Sequence, residues 1–222
     1  MISLVVATRN RHKVGEIQQI LGGDFSCQSL DTLPGAPVPV EDAPTFAGNA
    51  TKKVVSLAQW LAALPATARP FAGGASLWLL ADDSGLEVDA LGGAPGVHSA
   101  RFAADDPLVA GNTSDAANNA KLLRLLQGVE NRVARFRCVL ALLHVKQSPM
   151  QVQLFEGICA GRIATSASGG GGFGYDPLFV PRDAAQTFAE LGEDVKNKLS
   201  HRARALAELK TFFADPKIRR PA

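Results

Sequence analysis

Two long apolar runs, Val133 to Val145 and Gln151 to Ala160, are separated by only five residues, Lys146 to Met150. Parallel neighbours need a crossover of about a dozen residues or more, so a connection this short predicts a hairpin. Elsewhere strands alternate with helices. Ile2 to Ala7 is a short β-branched run, and Val14, Ile17 and Leu21 follow on one helical stripe that Gly22-Gly23 ends. Phe25 to Leu30 and Ser76 to Ala81 read as further strands, while the four prolines between Asp31 and Pro44 make that stretch a loop. Helical spacing covers about Thr45 to Leu64, Asn112 to Leu126, and a C-terminal stripe of Leu199, Ala203, Leu206, Leu209 and Phe213. A loop is expected over Pro65 to Ala75. The fold class is α/β, a mixed sheet flanked by helices. With no linker or internal repeat, residues 1–222 read as one domain whose tail frays from about Pro216.

Composition narrows the function classes. The 23 Lys+Arg against 21 Asp+Glu give a net charge of +2, which argues against a protein that coats nucleic acid. Hydrophobic residues at 46% and charged ones at 20% exclude a disordered chain. Cys27, Cys138 and Cys159 are odd in number and scattered, forming neither a disulfide framework nor a zinc motif, which points to a reducing compartment. No basic leader precedes Ile2, and no run approaches the roughly 20 apolar residues that cross a bilayer. The expectation is a soluble cytoplasmic protein with no membrane or nucleic-acid partner.

Four segments could carry chemistry. Thr8-Arg9-Asn10-Arg11-His12-Lys13 joins a strand to a helix, where free N–H groups and the positive dipole end suit an anion. Taken alone, helix capping by Asn10 or Thr8 is the better reading. Asp82-Asp83-Ser84-Gly85 reads as the carboxyl end of a buried strand, where open α/β folds place ligands. Its oxygen donors suit Mg²⁺, which takes one or two carboxylates together with substrate phosphates. Adjacent residues of an extended chain point to opposite sides, so both acids cannot easily share one role, and taken alone an Asp-Ser-Gly turn with solvated acids is an equal reading. Gly169 to Gly174 would let backbone approach a ligand, with Phe173 as a flat apolar face beside Asp176. Lys196 to Arg202 is a basic stretch with Ser200 as an N-cap, and in isolation it reads as a solvated helix face.

Order and spacing together say more. The chain resembles the inosine triphosphate pyrophosphatase family, the XTP/dITP diphosphatases, from Val5 to about Leu206. The resemblance rests on Thr8-x-Asn10-x-x-Lys13, on Glu41 with Thr45-Phe46-x-x-Asn49-Ala50-x-x-Lys53, and on Ala81-Asp82-Asp83-Ser84-Gly85-Leu86. It continues through Leu91-Gly92-Gly93-Ala94-Pro95-Gly96-Val97-His98-Ser99-Ala100-Arg101-Phe102, Gly172-Phe173-Gly174-Tyr175-Asp176-Pro177 and Lys196-x-x-x-Ser200-His201-Arg202.

The resemblance implies an elongated mixed sheet flanked by helices, two lobes around a substrate cleft, and a homodimer. It implies Mg²⁺-dependent hydrolysis of a deaminated purine nucleoside triphosphate, releasing pyrophosphate. Carried onto this chain, Thr8, Asn10, Lys13 and Lys53 hold the triphosphate. Asp83 is the general base and binds the metal with Glu41, although Asp42 beside it is an alternative. Ser84 touches substrate and Phe173 stacks on the base. Gly174, Tyr175, Asp176, Lys196, His201 and Arg202 line its pocket. The rival readings are a pyrophosphatase of the Maf type acting on pyrimidine nucleotides, and a non-catalytic nucleotide-binding module.

Overall fold

The structure, a computed structural model, describes residues 1–65, 77–104, 111–145 and 149–219. The loop expected over Pro65 to Ala75 falls almost wholly outside them, as does most of the connection Lys146 to Met150. The strands are β1 (Ile2–Val6), β2 (Phe25–Ser29), β3 (Leu77–Val88), β4 (Val133–His144), β5 (Val152–Ile163) and β6 (Phe179–Pro181). The helices are α1 (Arg11–Leu21), α2 (Phe46–Ala63), α3 (Asp115–Leu125), α4 (Phe188–Leu191), α5 (Glu193–Leu199), α6 (His201–Ala214) and α7 (Pro216–Arg219). No described helix is long and apolar enough to cross a membrane.

One six-stranded sheet runs in the order β2-β1-β3-β4-β5-β6. β1 is parallel to β2 and to β3, with Val6 opposite Leu80, whereas β5 and β6 are antiparallel, with Ile163 opposite Phe179. The sheet is therefore mixed, and β4 and β5 are neighbours, as a hairpin requires. β3 departs from expectation. It does not end at Ala81 but continues through Asp82 to Gly85 as far as Val88, so the acidic pair lies inside a strand rather than at its carboxyl end. The short β6, α4 and α5 were also not anticipated, and α7 forms where the tail was expected to fray from Pro216.

The chain divides into two compact units. The first comprises Met1–Asp83, Val139–Glu156 and Ala205–Ala222. Its core holds Leu4, Val5, Val6, Ile17, Val54, Leu79 and Leu80, all fully buried. Trp78 meets the Phe213 ring edge-on at 5.1 Å, and Phe213 in turn meets Phe25 at 5.5 Å. Helix α2 buries Asn49 and Lys53 as deeply as its apolar residues Ala50, Val54 and Leu57. That is unexpected for a polar pair at i and i+4 and marks a buried polar site.

The second unit comprises Ser84–Cys138 and Gly157–Arg204. Leu86, Val88, Leu122, Leu126, Phe136, Ile163, Phe179 and Phe188 form its core, each aromatic contributing roughly 1.5–3 kcal/mol by burial. Phe179 lies 4.6 Å from Phe136 and 5.5 Å from Phe188, centroid to centroid. The three cysteines are free, and burial pushes the thiols of Cys27 and Cys159 up to about 11.

Gly161 on β5 has no room for a side chain. A Cβ there would press into the carbonyl oxygen of Val180 and lie 2.6 Å from the Phe179 ring. Gly161→Ala should therefore cost about 3 kcal/mol, the upper end of ordinary overpacking penalties, read from a urea unfolding curve. An unchanged midpoint would mean that the β5–β6 pairing yields easily.

Candidate active site

The first unit gathers its polar groups around the ends of β1 and the middle of β3. The Ala7 N–H donates to the Leu80 carbonyl at 2.7 Å, and the Leu30 N–H donates to the Thr8 carbonyl at 3.0 Å. These bonds fix the polar turn beside β3. Asn10 caps α1, its Oδ1 accepting from the Lys13 N–H at 3.2 Å, while the Asn10 N–H donates to Thr8 Oγ1 at 3.1 Å. The capping reading is thus correct for Asn10. It does not exhaust the turn, because α1 carries no acid in its first turn and its dipole end stays positive.

Consecutive strand residues leave opposite sides of the sheet, and each acid of β3 meets a lysine from a different helix. Lys13 Nζ reaches Asp82 Oδ1 at 2.5 Å. Lys53 Nζ reaches Asp83 Oδ1 at 2.6 Å and Glu41 Oε1 at 2.9 Å, and it donates to the Asp82 carbonyl at 3.3 Å. Asp83 and Glu41 therefore share one ammonium. Asp42 instead pairs with Lys52 at the surface, so of the two neighbouring acids it is Glu41 that joins Asp83. Asn49 ties the group together: its Nδ2 donates to Asp83 Oδ2 at 3.3 Å and its Oδ1 accepts from the Ala43 N–H at 2.9 Å.

Burial raises the pKa of the Asp83 carboxyl, and the nearby Lys53 and Lys13 charges only partly offset this. For Lys53 burial opposes the charged form, but Asp83 and Glu41 outweigh it and leave the ammonium above its ordinary pKa. No group of three or more His, Cys, Asp or Glu that could hold a metal occurs among the described residues. The Asp83–Glu41 pair is the best donor set. Two hard carboxylates fit an ion that completes its shell with phosphate oxygens and water.

The second unit builds a separate group around Phe173. Asp176, only 2% exposed, accepts from the Phe173 N–H at 2.9 Å and from Lys196 Nζ at 2.6 Å. Lys196 Nζ also lies 4.1 Å from the centre of the Phe173 ring, and the Arg202 guanidinium carbon lies 6.0 Å from it. Arg202 is buried and donates to Ser84 Oγ at 2.9 Å. His201 stacks on Phe136 at 4.7 Å. Tyr175 is a core residue whose hydroxyl donates to the Ser99 carbonyl at 2.9 Å. The Gly174 N–H donates to Asp115 Oδ2 at 2.6 Å, and its carbonyl accepts from Asn119 Nδ2 at 3.0 Å.

The stretch from Lys196 to Arg202 is thus no solvated face. Lys196 lies within α5, Ser200 caps the next helix by accepting from the Ala203 N–H at 3.1 Å, and Lys196, His201 and Arg202 are all buried. Sequence reasoning assigned no site role to Asn49, Asp115, Asn119 or Ser99. The i, i+4 spacing of Asn49 and Lys53 was the one usable signal, since it placed Asn49 beside a site lysine.

The sequence model of the Ham1 family matches residues 4–212. The chain belongs to the Ham1 family. A dITP/XTP pyrophosphatase of Syntrophobacter fumaroxidans is 49% identical, the match covering 95% of this chain and 81% of that protein. A dITP/XTP pyrophosphatase of Geobacter sulfurreducens is 48% identical, over 95% of this chain and 96% of that one. The structure of a HAM1 protein from Coxiella burnetii superposes with a TM-score of 0.77 at 33% identity, covering 97% of this Ham1 chain and all of the other.

Within the Phe173 group, Asp176→Asn would leave the Lys196 charge buried beside a neutral amide. Breaking a buried pair in this way should cost about 3–5 kcal/mol. Adding Lys196→Met to the same chain should recover much of that loss, and a four-member set of urea unfolding curves measures the coupling. Additive losses would show that the pair is not energetically joined.

Proposed function

We propose that this Ham1 chain is a dITP/XTP pyrophosphatase, hydrolysing deaminated purine nucleoside triphosphates (ITP, dITP and XTP) to the monophosphate and pyrophosphate. The observation that carries the chemistry is the sharing of the buried Lys53 ammonium by Asp83 and Glu41. Carboxylates beside cations suit a reaction that needs charge neutralisation and a proton acceptor more than a protein nucleophile. Relatives that bear the dITP/XTP pyrophosphatase name at 48–49% identity over 95% of the chain support the substrate class.

In this reading Thr8, Asn10, Lys13 and Lys53 bind the triphosphate, helped by the N–H groups that open α1. Asp83 takes a proton from the attacking water. The water oxygen bonds to the α-phosphorus as the α–β bridging bond breaks, and pyrophosphate leaves with the electron pair. General-base help of this kind is worth roughly 10²–10⁴-fold. Asp83 and Glu41 would hold Mg²⁺. When bound, that ion supplies Lewis-acid withdrawal of charge from phosphate oxygen.

Phe173 stacks on the purine, Ser84 touches the substrate, and Gly174, Tyr175, Asp176, Lys196, His201 and Arg202 shape the base pocket. Donors that meet a 6-oxo group would face the amino group of adenine unpaired, a mismatch worth up to roughly 10⁴–10⁵-fold. The enzyme works in the cytoplasm as a homodimer, on free nucleotides, and clears deaminated purines before a polymerase uses them.

With Mg²⁺ present, kcat/KM for ITP, dITP and XTP should exceed that for ATP, GTP, dTTP and UTP on the order of 10³-fold. Product analysis should find pyrophosphate, not orthophosphate. Preference for dTTP or UTP would transfer the chain to the pyrimidine reading. Asp83→Asn should lower kcat by about 10²–10⁴-fold while the fold survives. Chelation with EDTA should abolish turnover, and added Mg²⁺ should restore it; full activity in EDTA would remove the metal from the scheme.

A further inference from the structure

The loop that presents Phe173 is rich in the residue with the widest backbone freedom. Five of its six residues from Gly169 to Gly174 are glycine, and Gly169, Gly172 and Gly174 adopt positive φ of +83°, +74° and +64°. Glycine loses more backbone freedom on ordering than any other residue. An aromatic ring carried on such a loop holds its direction only if other groups fix the peptides beside it.

Asp176, which accepts from the Phe173 N–H at 2.9 Å, fixes the peptide before the ring, and two side chains of α3 fix those after it. Asp115 accepts from the Gly174 N–H at 2.6 Å, and Asn119 donates to the Gly174 carbonyl at 3.0 Å. They stand one turn apart, at i and i+4, on one face of the helix. The Gly174 N–H belongs to the peptide that begins at Phe173, and its carbonyl to the peptide that leads into Tyr175. Both peptide planes flanking Gly174 are therefore pinned.

α3 is itself anchored. Asn118 is buried and accepts from the Ala103 N–H and Thr113 Oγ1, both at 2.7 Å, while Leu122 is fully buried in the core. An acid in a helix's first turn can serve merely to oppose the dipole. Asp115 goes beyond that role, because Ser114 already caps α3 and the Asp115 carboxylate is committed to a peptide of another segment.

We propose that Asp115 and Asn119 are positioning residues that clamp the Gly174 peptide and so aim the Phe173 ring at the purine. The inference rests on the reading of Phe173 as the base platform. The clamp touches no reacting atom, so its loss weakens base binding and leaves the chemical step nearly intact.

The experiment compares Asp115→Ala, Asn119→Ala, Asp115→Asn, Phe173→Ala and the double variant Phe173→Ala/Asn119→Ala in steady-state ITP hydrolysis. Each alanine variant of the clamp should raise KM about 10-fold, near the worth of one hydrogen bond, with kcat within about 3-fold of the parent. Asp115→Asn keeps an acceptor oxygen and should recover most of the KM. Inhibition by inorganic tripolyphosphate, which has no base, should be unchanged. In the Phe173→Ala background, Asn119→Ala should add less than about 2-fold, because the clamp acts through the ring.

If Phe173→Ala raises KM while both clamp variants leave it alone, the clamp is wrong and the platform reading stands. Parallel weakening of tripolyphosphate, or full additivity of the double variant, also overturns the clamp. An unchanged KM in Phe173→Ala removes the platform itself, and the clamp with it. Should Asp115→Ala not fold, Asn119→Ala and Asp115→Asn carry the same comparison.

Discussion

The buried ammonium of Lys53 is the constraint from which the polar group of the first unit follows. An isolated charge in the interior costs several kcal/mol, and two carboxylates placed together would repel. The three groups solve each other's problem, since Lys53 is 5% exposed and bonds to both Asp83 and Glu41. The arrangement also leaves the Asp83 carboxyl with a raised pKa, because its burial outweighs the cations near it.

Register brings this group together. The parallel pairing of β1 with β3 sets Val6 opposite Leu80, and the chain then runs two and three residues further to Asp82 and Asp83. The same pairing delivers the Thr8 turn and the start of α1, from which Lys13 reaches Asp82. Residues some 70 positions apart become neighbours through one ladder of backbone bonds. A slip by a single residue would turn every side chain of β3 to the other face.

The elements most legible in the sequence were those with a clear apolar period. β1, α1, α2, α3, β4 and β5 all lie within a few residues of where their patterns put them. β3 was cut short because Asp-Asp-Ser-Gly is turn chemistry by local preference. Lys13, Lys53 and the neighbouring strands override that preference, and none of them is local. β6 has three residues, too few to display a period. The basic stretch at Lys196 looked solvated because its burial depends on Asp176, twenty residues earlier, and on Phe136 beneath His201. The choice between Glu41 and Asp42 could not be made from adjacent letters, whereas the side-chain directions separate them at once. The roles of Asp115 and Asn119 depend on Gly174, more than fifty residues later, and so lie beyond any local pattern.

The thiol chemistry of the chain has a bearing on durability. With Cys27 and Cys159 held near 11, only on the order of one molecule in 10⁴ carries either sulfur as thiolate at neutral pH. Peroxide and electrophiles attack the anion, so both positions are chemically quiet. Cys159 sits in the same apolar cluster as Phe179 and Tyr175, where a sulfenic acid would put an unsolvated hydroxyl among rings. Oxidation at Cys159 would therefore disturb the packing of that cluster.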